Sequence, residues 1–241
     1  MVRQIKKTKA RKREKTKKLG NITLFQKIFS FFKDNAKILI YAVSTVIIIG
    51  FASSIFFYIN KQTERNAAER FYKVLRVYWQ NEEAKEENLD GYFKSLRGFS
   101  EIVDNYSGTK YGDWSLVYMG NCYLHLKNYQ TAIKFYDRYI KKSRQADIFT
   151  ADAYHGKGIA YIERGKYPEA IKTYMDFLKV NKSPVTEKLL LEIAWCYEKT
   201  GDNKKALEYY KKIVKEHPDS LFKSDAERNI KVLEEINQQK S

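Results

Sequence analysis

A recurrence every 36 to 38 residues constrains this chain more than any other feature. Ala132, Ala170 and Ala206 stand 38 and then 36 residues apart, and Gly120, Gly158 and Ala194 keep the same two intervals. Around these small residues the aromatic and aliphatic side chains also align. The first segment has Leu116, Met119, Tyr123, Tyr129, Tyr136 and Tyr139, and the second has Tyr154, Tyr161, Tyr167, Tyr174 and Phe177. Leu190, Ile193, Tyr197, Tyr210, Ile213 and Pro218 belong to the third. Apolar residues fall at helical spacing within each segment, which predicts pairs of amphipathic helices. One helix pair cannot bury its own apolar face, so the units must stack on one another.

Stacking also explains the flanks. Upstream, Ala68, Phe71, Leu75 and Tyr78 form one stripe and Tyr92, Leu96, Phe99 and Val103 another, a degenerate first helix pair. Downstream, Phe222, Ala226, Ile230, Leu233 and Ile236 form the seam of a capping helix whose other face is charged, as the end of a stack requires in water. With 19 Tyr and 14 Phe beside only 3 Pro and 11 Gly, the composition suits helices packed through aromatic side chains. The expected fold class is all-α: a single N-terminal transmembrane helix followed by an α-solenoid.

The transmembrane assignment rests on Ile38 to Ile59, 22 residues without a charge. At a rise of ~1.5 Å per residue such a helix is about 33 Å long, enough to span a hydrocarbon core. A cleaved signal would have an apolar region of only about 7 to 15 residues, and this run continues past the small residues Ala52 to Ser54 through Phe56, Phe57 and Ile59. Residues 1–37 hold 13 Lys or Arg against Glu14 and Asp34, so most of the net charge of +16 precedes the span. The positive-inside rule then puts the N-terminus in the cytoplasm and everything after the span across the membrane. Phe25, Ile28, Phe29 and Phe32 recur at i, i+3, i+4 and i+7, a pattern for a helix lying in the headgroup region. Phe25, Phe29, Phe32, Ile38 and Ile59 are the expected membrane anchors. Anionic lipid is the expected target of the basic tail. Nucleic acid is the weaker alternative, since a charge run without stacking aromatics carries no specificity.

The expected organisation is a basic disordered tail over 1–22, an interfacial helix over 23–37, the span over 38–59, a linker helix and degenerate pair over 60–110, three repeats over 111–219, and a cap and tail over 220–241.

The repeats resemble the tetratricopeptide repeat (TPR), a 34-residue helix-turn-helix unit, most closely in YIERGKYPEAIKTYMDF and CYEKTGDNKKALEYYKKIVKEHP. The first repeat departs from the pattern with Lys127 where a turn glycine is usual. The resemblance implies a protein-binding module whose concave surface is lined by the first helix of each repeat. On that register the groove presents Trp114, Val117, Asn121 and Leu124 from the first repeat, then His155, Ile159 and Ile162 from the second. Leu191, Trp195 and Glu198 come from the third. Only Asn121 and Lys188 fit the pattern of a carboxylate clamp, so an apolar, aromatic-lined groove for hydrophobic segments is expected instead. Tyr136, Tyr174 and Tyr210 are expected in the core.

No Gly-rich phosphate loop, no Gly-x-Ser-x-Gly and no His-Glu-x-x-His occur, so neither catalysis nor a cofactor is expected. Cys122, Cys196 and three histidines lack metal-ligand spacing. The two cysteines occupy equivalent repeat positions, too far apart in a stack to bridge.

The basic tail, the span, and the passage from FSEIVDNYSGTKYGDW to LKNYQTAIKFY together resemble a bacterial inner-membrane family that accompanies the general secretion translocon. That resemblance implies a periplasmic repeat domain, partners among the translocon, exported chains and chaperones, and a role as an export adaptor. A structural scaffold in an envelope machine, such as a flagellar motor or a secretion or cell-wall synthesis complex, is the alternative.

Overall fold

The computed structural model describes residues 23–84, 89–143, 147–180 and 185–239. The basic tail expected over 1–22 lies outside them. The chain divides into two compact units, Met1–Lys61 and Gln62–Ser241.

In the first unit, helix α1 covers residues 23–34 and ends at a turn at Asn35, three residues before the predicted boundary. Its large apolar residues are all exposed, and Leu24 and Phe31 lie off the predicted stripe, so the apolar surface wraps further around the helix. Helix α2 (Ala36–Glu82) follows, and it contains a window of mean hydropathy 2.3 with none of its residues buried. It is long and apolar enough to cross a membrane. Phe25, Phe29, Phe32, Ile38 and Ile59 are all exposed. No break separates the apolar run from the first repeat-like stripe, because residues 60–66 contain neither Gly nor Pro to stop the helix.

The described residues of the second unit form helices joined by turns, with no strand among them. It comprises the end of α2, then α3 (Leu89–Asn105), α4 (Lys110–His125), α5 (Tyr129–Lys142), α6 (Ile148–Ile162), α7 (Tyr167–Val180), α8 (Thr186–Lys199), α9 (Asn203–Glu216) and α10 (Lys223–Gln239). From α3 onward each helix packs on the next, and α4 also touches α6. Local chemistry sets the starts. Thr109, Asn128, Asp147 and Asp202 each cap the helix that follows by accepting a backbone N–H, and Asp147 with Thr150 forms a reciprocal capping box.

The turns inside the three repeats share one geometry. In each, one residue of the turn that follows the first helix is left-handed: Lys127 at φ 57°, Gly165 at 68° and Gly201 at 80°. Around each lie the same two hydrogen bonds: Asn128 N–H to Tyr123 O and Lys127 N–H to Leu124 O in the first, with the equivalents from Lys166 and Gly165, and from Asp202 and Gly201. This is a Schellman motif. Lys127 therefore accepts the strained conformation that glycine supplies in its sister repeats.

Three apolar clusters follow one another along the stack. Phe71 starts the first, touching Phe99, Tyr111, Trp114 and Tyr118 with ring centroids 5.5 to 6.0 Å apart. Phe177, Leu189 and Ile193 centre the second, and Leu190, Tyr210, Ile213 and Leu233 the third. Tyr136, Tyr174 and Tyr210 are fully buried. Each sits in the second helix of a repeat, where a small residue on the first helix admits the ring: a Cβ on Gly158 would lie 2.1 Å from the Tyr174 ring.

Candidate protein-binding groove

The first helices of the repeats, α4, α6 and α8, carry the groove positions. Much of their polar chemistry is turned inward to tie the helices together. The Tyr136 hydroxyl donates to Asn121 Oδ1 at 2.6 Å, and Asn121 Nδ2 donates to Asp152 Oδ2 at 3.2 Å, so one asparagine joins α4, α5 and α6. One repeat on, His155 Nε2 lies 2.8 Å from Glu192 Oε1, which ties α6 to α8. The Tyr174 hydroxyl and Glu192 Oε2 are buried without another partner of good hydrogen-bond geometry, and each is the other's polar neighbour. Glu198 accepts the Tyr210 hydroxyl.

Two carboxylates on these helices respond to burial in opposite ways. Desolvation dominates at Asp152 and lifts its carboxyl above the ordinary range, although Asn121, His155 and Lys188 pull the other way. Burial also opposes ionisation of Glu192, but the hydrogen bond and charge of His155, with Tyr174 and Lys188, outweigh it and leave the carboxyl below its usual value. Burial pushes the thiols of Cys122 and Cys196 up to about 12, and both are free and inaccessible.

The predicted groove residues divide accordingly. Val117 is fully buried in the first cluster and is not available to a ligand, since its side chain turns into the core that α2 and α3 complete. Trp114 is covered by Phe149, whose ring stacks on it at 4.4 Å, and the Lys110 ammonium also lies over the Trp114 ring at 5.3 Å. Asn121, His155 and Glu198 are engaged in the cross-links above, and Leu124 packs against the first cluster. Ile159 and Ile162 are half-buried, as is Leu191, which packs on the third cluster. Trp195 is the most open large apolar residue of the set at 37% exposure, held edge-on by Tyr167 at 5.8 Å and covered by Lys199 at 5.0 Å.

Asp152, Lys188 and Lys199 were not among the predicted groove residues. The repeat intervals contained the signal for two of them: the steps of 38 and 36 residues carry Trp114 to Asp152 and Lys188. Among the described residues no group of His, Cys, Asp and Glu is arranged to hold a metal.

Comparison with known proteins supports the repeat assignment. Two family models, both described as the tetratricopeptide repeat, match residues 113–183 and 188–220. These segments are tetratricopeptide repeats. A kinesin light chain TPR-like repeat structure from Podosopora anserina superposes with a TM-score of 0.56 at 15% identity, covering 73% of this chain and 89% of that one. MamA from Desulfovibrio magneticus RS-1 gives 0.51 at 17% identity over 72% of this chain and 92% of that one. At such identities the likeness is one of fold. In sequence, the human intraflagellar transport protein 88 homolog is 28% identical over 127 residues, which are 51% of this chain and 15% of that protein. A TPR solenoid is a protein-interaction module, with an extended concave surface produced by the stacking itself.

Proposed function

We propose that this chain is a membrane-anchored adaptor that binds a segment of another protein along α4, α6 and α8, as a chaperone-like accessory of protein export across a bacterial inner membrane. The observation that carries the reading is the pairing, in one chain, of a fully exposed apolar helix segment with a TPR array. Ile38–Ile59 serves as a single span, the basic tail stays in the cytoplasm on anionic lipid, and the repeats lie in the periplasm. Trp195, Ile159 and Ile162 supply apolar contact, while Lys188 and Lys199 orient the bound chain. The translocon, exported chains and chaperones are the partners this reading names.

A structural scaffold for one fixed partner is a second reading, and one observation favours it. The Asn121–Asp152 and His155–Glu192 cross-links fix the spacing of the groove helices, whereas binders of many partners use pliable, Met-rich surfaces.

Photo-crosslinking in living cells from Trp195 and Ile159, with exposed Lys172 on α7 as control, separates the two. Many exported chains captured together with the secretion channel are the expected result. One dominant envelope-machine component transfers the protein to the scaffold reading, and adducts equal to those from Lys172 refute the groove.

A further inference from the structure

The first helix pair carries a cleft that the groove reading leaves unused. Phe71, Tyr78, Phe99 and Ile102 form the buried face of this pair, and Phe71, Tyr78 and Phe99 all touch Tyr118 of α4. On the adjacent faces of α2 and α3 opens a cleft of about 700 Å³, floored by Val74, Val77 and Gly98. Arg70, Lys73, Lys94 and Arg97 line its rim, together with Glu69 and Glu101. All six charged residues are exposed, and among the described residues none of them makes an ion pair. Arg70 lies over the Tyr106 ring at 5.9 Å; the other three cations have no such contact. The cleft thus joins an aliphatic floor to a rim with an excess of two positive charges.

The other end of the stack shows what fits such a surface. There α10, an amphipathic helix, lays Ala226, Ile230 and Leu233 against Tyr210 and Ile213 of the last repeat, and its Glu234 meets Lys211 at 2.7 Å. An apolar seam plus a carboxylate opposite a lysine closes the solenoid at that end. The first pair offers the counterpart of that arrangement with more cations and an open floor.

We propose that the cleft between α2 and α3 is a second docking site, which takes an acidic amphipathic helix from a partner protein. Val74 packs directly on Gly98, so apolar residues at i, i+4 and i+7 of that helix lie over the Val74 and Val77 side chains, and flanking carboxylates pair with Lys73, Lys94 and Arg97. Glu69 and Glu101 favour a protein over an anionic bilayer, because a helix can set a lysine opposite each whereas the bilayer presents only negative charge. The site is independent of the concave groove, which is built from other helices.

The test uses the full chain in phosphatidylcholine nanodiscs and a fluorescein-labelled helical peptide with Leu at i, i+4 and i+7 and Glu at the flanking positions, followed by anisotropy. Saturable binding that weakens with added salt and falls at least tenfold in Lys73→Glu/Arg97→Glu, but not in Lys172→Glu, is expected. Lys94→Gln/Arg97→Gln, with less added repulsion, repeats the test if the double reversal perturbs the fold. A peptide with Gln for every Glu should bind at least tenfold more weakly. No binding, equal binding of the Gln peptide, or indifference to the rim substitutions overturns the proposal. So does displacement by phosphatidylglycerol vesicles through the same rim residues, which gives the cleft to lipid, or loss of self-association on charge reversal, which gives it to a second copy of the chain.

Discussion

Replacing Lys127 by glycine should stabilise the repeat unit, and the reverse change at Gly165 should weaken it by a similar amount. Lys127 holds φ 57° at the position where the sister repeats hold Gly165 and Gly201. A side chain in the left-handed region costs about 1–2 kcal/mol, from crowding between Cβ and the backbone carbonyl. Glycine removes that cost but brings a more flexible unfolded chain, which takes back about 0.5–1 kcal/mol. Lys127 is exposed and makes no ion pair among the described residues, so little else changes. The two hydrogen bonds of the turn use backbone groups and survive in both variants. The net expectation is a gain of about 0.5–1 kcal/mol for Lys127→Gly and a comparable loss for Gly165→Lys. For a unit of this size that corresponds to roughly 1–4 °C in Tm. Urea unfolding of the full chain in detergent, followed by tryptophan fluorescence, reads both through the midpoint at unchanged slope. If Lys127→Gly lowers the midpoint, or Gly165→Lys leaves it alone, backbone strain is not what distinguishes the first repeat.

Gly158→Ala should destabilise by up to about 2 kcal/mol, because overpacking costs about 1–3 kcal/mol and better helix propensity returns about 1; its Cβ would collide with a fully buried Tyr174 ring. In a Tyr174→Leu background the same change should cost nothing, and an equal cost there in urea midpoints would refute the ring contact as its cause. The two groove carboxylates should respond oppositely to pH. The raised carboxyl of Asp152 binds its proton more tightly in the folded chain, so its ionisation costs stability at neutral pH, and that cost fades as pH falls from above the raised value to below about 3.9. The lowered carboxyl of Glu192 contributes stability above about 4.3 that is lost as pH falls through its folded value. Asp152→Asn should therefore raise the urea midpoint at pH 7 and Glu192→Gln should lower it, with both differences shrinking in acid. Shifts of the same sign would show that the His155 contact does not dominate at Glu192.

Helical spacing and the 36 to 38 residue interval determined the all-helical repeat fold, because each pair must cover the apolar face of its neighbour whatever the details of packing. Burial of Tyr136, Tyr174 and Tyr210 opposite small residues follows from the same intervals, and the tolerance of a lysine at 127 from the strength of the turn around it. Spacing assigns a residue to a helix face, however, and not to what covers that face. Only the tertiary structure could show Val117 turned into the core, Trp114 covered by Phe149 from the start of α6, and Asn121 and His155 spent on cross-links to the first helix of the next repeat. The cleft of the first pair escaped the sequence for the same reason. Its floor comes from valines on α2 and a glycine on α3, and its rim from two pairs of cations, Arg70 with Lys73 and Lys94 with Arg97, brought together only when the two helices meet.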